Sequence, residues 1–178
     1  MTKDSSEQQG GSGNISTSMT VLAWVALMLF AGFYFDDMLG RQQNPNQSLE
    51  TRYSEGRVRE VTLVRNKYGH YVTSGKVNGQ AVVFMLDTGA TGVAIPDHIA
   101  RQLKLKRGPA FQVQTANGSA ISYAARLQSV SVGEIILRDV SASIAPGYHS
   151  DEILLGMSFL QHIEFTQRGD TLVLKQAF

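Results

Sequence analysis

Apolar and polar residues exchange places every few positions along most of this chain, but from Ile15 to Phe35 they do not. The stretch "ISTSMTVLAWVALMLFAGFYF" holds 21 residues and no charge. As a helix rising 1.5 Å per residue it spans roughly 31 Å, about one hydrocarbon core. Trp24 lies within it, and Phe33, Tyr34 and Phe35 cluster at one end, where a membrane interface favours aromatic rings. A cleaved secretory signal is the competing reading. Against it, no Ala-x-Ala-like site follows, and the basic region before it is the single Lys3. A buried soluble helix is a third reading, for which 21 uncharged residues are long. The pattern predicts an uncleaved single-span anchor over residues 15–35. Charge does not orient it, since Asp4 and Glu7 dilute Lys3 on one side and Asp37 accompanies Arg41 on the other.

The flanks are polar. Residues 1–14 are rich in Gly and Ser and read as a disordered tail. Residues 36–57 show no clear period and read as a linker. The folded domain is then expected over residues 58–178.

Inside that domain the period is close to two and the composition favours Val, Ile, Thr and Tyr, as in strands. Asn78-Gly79 divides "REVTLVRNKYGHYVTSGKV" from "QAVVFML". Asn-Gly between two such runs is a strong hairpin signal, because a type I′ turn needs positive φ at both central residues. A second hairpin is expected at Asn117-Gly118, a third near Gly133 and a fourth near Gly169. One helix is expected from Pro96 to Leu105, with Ile99, Ala100 and Leu103 on one face. A shorter one is expected over Met157–His162. The prediction is an all-β domain of hairpins with one or two short helices.

Composition changes this picture little. Hydrophobic residues make up 43% and charged residues 17%, and the anchor accounts for the low charge. A net charge of +1 without a long basic run gives no electrostatic surface for nucleic acid. Cysteine is absent, which excludes disulfides, thiolate metal sites and a cysteine nucleophile. His70, His98, His149 and His162 are scattered without metal-ligand spacing, so neither a metal nor a cofactor is expected. Ser150 and Ser158 lie near His149 and His162, but no Gly-x-Ser-x-Gly is present. Arg101, Lys104, Lys106 and Arg107 fall at the end of the expected helix, where they suit its dipole.

The chemistry gathers at "VVFMLDTGAT", Val82–Thr91. An apolar core strand delivers a carboxylate, Asp87, into a loop, and a buried carboxylate is costly unless paired or functional. Thr88 and Thr91 offer hydroxyls, and Gly89 permits close approach of backbone. The bland alternative is an ordinary Asp-Thr-Gly turn. In "EILLGMSFL", Gly156 suits a strand passing close behind the Asp loop. The hairpin around Asn117-Gly118 carries Thr115, Ser119, Ser122 and Tyr123, a composition tolerable in an arm folded over a groove.

Together these motifs resemble the retropepsin-like aspartic proteases, and more closely their bacterial, membrane-anchored branch. The resemblance rests on Val77-Asn78-Gly79, Asp87–Thr91, Ala116-Asn117-Gly118 and Leu154–Leu160, in that order, and covers roughly residues 69–175. It implies a closed β-barrel or sandwich and an endopeptidase acting on a peptide or protein. Asp87 would be the catalytic carboxylate, in a loop of Thr88, Gly89, Ala90 and Thr91. Leu155 and Gly156 would support that loop, and Ala116, Asn117, Gly118 and Ser119 would form a flap over the substrate. Such chemistry needs two carboxylates sharing a proton around one water. The chain has one Asp-Thr-Gly and no room for a second lobe, so the resemblance implies a homodimer with one Asp87 from each protomer. It also implies a bacterial inner membrane location with the domain on the periplasmic side. A non-catalytic dimerisation or peptide-binding module of the same fold is the alternative. A tethered structural β-domain, in which Asp87 merely caps a turn, is the third.

Overall fold

The computed structural model of the 178-residue chain describes residues 17–54, 57–115 and 118–177. The expected tail, residues 1–14, lies outside them. The chain divides into two units, one ending at Met38 and one running from Leu39 to the C-terminus.

The first unit is built on α1 (Thr17–Gln43). Its large apolar side chains from Met19 to Phe35 are exposed on every side of the helix, and Phe30 and Tyr34 stack with centroids 6.4 Å apart. A helix apolar all round finds no partner in water. At 27 residues, roughly 40 Å, it is long and apolar enough to cross a bilayer.

The second unit is all-β with two short helices. Its strands are β1 (Thr51–Ser54), β2 (Val58–Val64), β3 (Tyr71–Val77), β4 (Gln80–Leu86), β5 (Val93–Pro96), β6 (Ala110–Thr115), β7 (Gly118–Val132), β8 (Ile135–Ala145), β9 (Ile153–Leu155), β10 (Glu164–Arg168) and β11 (Thr171–Ala177). The helices are α2 (Asp97–Gln102) and α3 (Met157–Leu160). One sheet has the order β1-β2-β11-β10. The other runs β3-β4-β9-β5-β8-β7-β6, and β3 also pairs with β7. Six of its strands therefore close on themselves as a barrel, and β6 is left outside the ring. The closing seam is short, with Lys76 opposite Ser131 and Val77 opposite Val130.

Three of the four expected turns are where the residues put them; the one expected at Asn117-Gly118 falls partly outside the described residues, and Gly118 itself is already in β7, opposite Thr115. Asn78 and Gly79 have φ of 50° and 82°, the pair of positive values a type I′ turn requires. Gly133 and Gly169 each open a two-residue turn at φ 57°. Inside the barrel Phe84, Ile95, Leu127, Ile144, Ile153 and Leu155 are fully buried, along with Phe159 from α3. Each such side chain contributes about 1.5–3 kcal/mol by leaving water.

Two expectations need correction. The helix after Pro96 ends at Gln102 and not Leu105, because Lys104 takes a left-handed φ of 55° that a continuing helix excludes. The residues 36–57 expected to be linker are also largely structured. α1 continues to Gln43 and stops just before Pro45, whose ring disfavours helical backbone in the preceding residue. Asn46 follows and is 4% exposed. Its Nδ2 donates to the Val64 and Val72 carbonyls at 2.8 and 2.7 Å, and its Oδ1 accepts from the Val64 N–H at 2.7 Å. One side chain thus ties the end of β2 to the start of β3, strands of different sheets. Then β1 adds an edge to the smaller sheet, with Thr51 opposite Val61 and Ser54 opposite Val58. No periodic pattern announces a clamp made by one polar side chain. Asn46→Ala leaves two carbonyls and an N–H unpaired. It is expected to cost about 2–3 kcal/mol, read as a lower urea midpoint with an unchanged slope.

Candidate active site

β4 is apolar because its residues alternate between the barrel interior and a second apolar face. Phe84 and Leu86 point inward, while Val83 and Met85 lie on the other face and are half-buried. Asp87 continues that second face, directly after the strand. Its N–H donates to the Leu155 carbonyl at 3.2 Å, and its own carbonyl accepts from the Ala90 N–H at 3.2 Å. Carboxylate Oδ1 accepts from the Gly89 N–H at 2.8 Å, which fixes the plane of the carboxyl group. The carboxylate borders a small cleft of about 130 Å³, lined with Tyr71, Leu86, Thr88, Leu160 and Phe165. Asp87 is half-exposed, and Thr88 and Gly89 are exposed. The strand therefore brings Asp87 to the protein surface, not to the buried position the apolar run suggested. Among the described residues nothing buries the tip of the loop.

The loop is held from behind. Leu155 is fully buried and supplies the carbonyl that takes the Asp87 N–H. The Ala90 carbonyl accepts from the Met157 N–H at 2.8 Å, and the Thr91 carbonyl from the Ser158 N–H at 3.0 Å. These are donors at the start of α3 that have no partner inside the helix. A Cβ added to Gly156 would lie 2.5 Å from the Ala90 carbonyl oxygen and against that of Gly92. Close approach, not an unusual φ, is the reason for glycine here. Ser158 has a supporting place that sequence reasoning did not assign. Its Oγ donates to the Ser141 carbonyl at 2.9 Å and accepts from the Val93 N–H at 3.0 Å.

β6 and the first half of β7 form a two-stranded arm, paired from Ala110 opposite Tyr123 to Thr115 opposite Gly118. Five of the six β6 residues are exposed and Val113 is half-buried; Phe111 and Ile121 are among the exposed side chains of the arm. Of the expected flap residues, Gly118 sits at φ 103° and Ser119 donates to Gln114 Oε1 at 2.9 Å. Ala116 and Asn117, expected at the tip, lie outside the described residues. The base of the arm is tied to α2. The Arg107 guanidinium lies 4.8 Å over the Tyr123 ring and pairs with Asp97, which Arg101 also meets at 2.9 Å. The hydrogen bond from Arg107 holds the Asp97 carboxyl below the usual carboxylate range, and Arg101 acts in the same direction. The basic cluster at this helix end is thus partly consumed in ion pairs. Among the described residues no group of three metal-ligating side chains forms.

A rigid carboxylate at the rim of a closed β-barrel, with a two-stranded arm on the same sheet, defines the aspartic protease class of fold. The family described as "gag-polyprotein putative aspartyl protease" matches residues 73–162, and the chain belongs to that family. A crystal structure of a retropepsin-like aspartic protease from Rickettsia conorii superposes with a TM-score of 0.56 at 26% identity, over 72% of this chain and 94% of that one. The barrel is accordingly a retropepsin-like fold. An uncharacterized Sinorhizobium protein from the cobV 5′ region is 38% identical over 128 residues, 68% of this chain and 54% of that protein. The uncharacterized protein RP867 of Rickettsia prowazekii is 32% identical over 123 residues, 66% of this chain and 52% of its own length. The chain spans about half the length of these curated relatives.

Proposed function

We propose that this protein is a membrane-anchored aspartic endopeptidase that works as a homodimer, with Asp87 of each protomer facing one water. The observation that carries the reading is the Asp87 loop. Its backbone is fixed by Leu155, Gly156 and α3, one carboxylate oxygen is held by Gly89, and Thr88 and Gly89 at its tip are exposed. In the dimer one carboxylate takes a proton from the water as the oxygen attacks the scissile carbonyl. The partner's Asp87, protonated, donates to the carbonyl oxygen. The pair then returns a proton to the leaving amine, and the C–N bond breaks. Thr88 braces the two loops, and the β6–β7 arm closes over the peptide and excludes water. α1 anchors the domain in a bacterial inner membrane on its periplasmic side. The apolar helix supports the anchor and the relatives a bacterial setting, and the periplasmic side is what the family resemblance implies.

The test uses the full chain in detergent micelles with a quenched peptide library. Cleavage is expected to be blocked by a statine-bearing peptide, which mimics the tetrahedral intermediate, and to survive a chelator. Activity per molecule should rise with the ratio of protein to micelles until the dimer saturates. Cleavage stopped by a chelator and untouched by the statine would remove the reading. A dimer that binds peptides without cutting them would favour the non-catalytic module.

A further inference from the structure

Beside the Asp87 loop the barrel carries a second cavity, of about 500 Å³, on the face that Asp87 itself occupies. The strand register establishes this. β4 and β9 run parallel, with Phe84 opposite Ile153, Met85 opposite Leu154 and Leu86 opposite Leu155. Phe84, Leu86, Ile153 and Leu155 are buried inside the barrel, so Met85 and Asp87 on one strand and Leu154 and Glu152 on the other share the opposite face. Met85 lines the cavity together with Tyr68, His70, Ser150, Asp151 and Glu152. Two aromatic rings and two carboxylates around a methionine make a pocket with an apolar wall and an anionic mouth. Met85 is two residues before Asp87, roughly 7 Å along the strand. A side chain close to a bond held at Asp87 can reach it.

The polar groups are only partly matched. Glu152 is half-buried. Ser150 Oγ donates to its Oε2 at 2.5 Å, and among the described residues no lysine or arginine forms an ion pair with it. Asp151 meets His98 at 3.5 Å and is otherwise open to solvent. Lys67 sits at this wall, its Nζ 5.0 Å from the centre of the Tyr68 ring, but it donates to Gln42 and forms no ion pair with Glu152 or Asp151 among the described residues. The Tyr148 hydroxyl is buried close to Ser150. Burial pushes that phenol up, Ser150 opposes the shift, and the charges of Glu152 and Asp87 both add to it. A half-buried carboxylate without a counter-ion is a site prepared for a cation.

We propose that this cavity is a specificity pocket for a lysine or arginine side chain of the substrate, with Glu152 as its anionic anchor. The pocket rests on the peptidase reading for its purpose but not for its ligand. Its volume and the Val72 and Met85 side chains suit the methylene stem, and Glu152 and Asp151 accept the terminal N–H groups.

The binding test needs no catalysis. The full chain in detergent, with 13C-labelled methionine methyls, is titrated with N-acetyl-arginine amide and with N-acetyl-norleucine amide. The Met85 methyl resonance is expected to move saturably with the arginine compound and not with the norleucine one. Glu152→Gln, which keeps the contact to Ser150, should weaken that response about tenfold. A Met85 resonance that is unmoved, that moves equally with both, or that is indifferent to Glu152→Gln overturns the pocket. The cleavage test uses a proteome-derived peptide library. Lysine or arginine is expected to be enriched about tenfold at one position near the cut, falling towards unity in Glu152→Gln and giving way to acidic residues in Glu152→Lys. A library cut without basic preference overturns the pocket and leaves the peptidase standing. A library left uncut removes the peptidase reading, and the Met85 resonance then decides the pocket alone.

Discussion

Asp87→Asn is expected to lower peptide cleavage by at least about 10³-fold while leaving the fold and the urea midpoint close to wild type. The asparagine oxygen can still accept the Gly89 N–H now held by Oδ1 at 2.8 Å, so the loop keeps its shape. What is lost is the group that takes and returns a proton. The size of the loss reflects a step that nothing else in the site can perform. The stronger form of the experiment mixes the two chains. If the site needs one carboxylate from each protomer, co-expression at equal levels leaves about a quarter of the dimers with two aspartates. Activity per molecule should then fall to about a quarter of wild type. A fall to half would mean that each chain works alone, and the homodimer would have to be given up.

Gly156→Ala is the substitution expected to damage stability most. The new methyl group would meet the carbonyl oxygens of Ala90 and Gly92 at distances no real Cβ shows. Those oxygens cannot simply recede, because the Ala90 carbonyl is bonded to the Met157 N–H at 2.8 Å. Either α3 lifts away or the Asp87 loop moves, and each course breaks backbone hydrogen bonds. A loss of about 2–4 kcal/mol is expected, equivalent to roughly 10 °C in Tm for a unit of this size. Cleavage should suffer beyond the loss of stability, because the displaced loop is the one that aims the carboxylate. Gly147→Ala serves as the control. It has nothing within 4 Å and no positive φ, and its effect should stay within about 0.5 kcal/mol. Equal effects at the two positions would contradict the steric account.

These two glycines also illustrate what can be read from residues alone. Local rules carried the turns, since Asn78-Gly79 has few other uses between two strands. They carried the start of α2 at Pro96, and they marked Gly156 as a place where something passes close. They did not carry what depends on partners distant in sequence. The parallel pairings of β4 with β9 and β5 with β8 leave no local trace in three- and four-residue strands. Asn46 looked like part of a polar linker because its three side-chain bonds reach residues 18 and 26 positions away. The half-exposure of Asp87 was misjudged for a related reason. An apolar strand reports which way it runs into the barrel but not where the barrel ends. The role of Ser158 is hidden too, because a single hydroxyl has no pattern.

The parallel pairing behind Asp87 also affects when the protein acquires its chemistry. Leu86 and its neighbour Leu155 are roughly 70 residues apart in the chain, and the floor of the loop comes only from the later one. During synthesis the Asp-Thr-Gly triplet emerges long before the segment that shapes it, by several seconds at about 5–20 residues per second. No fragment that stops short of α3 has the Met157 and Ser158 N–H groups that hold the Ala90 and Thr91 carbonyls. A nascent or truncated chain thus carries the triplet without a built site. On the proposed reading, the peptidase stays harmless to its own unfolded neighbours until nearly the whole domain is made.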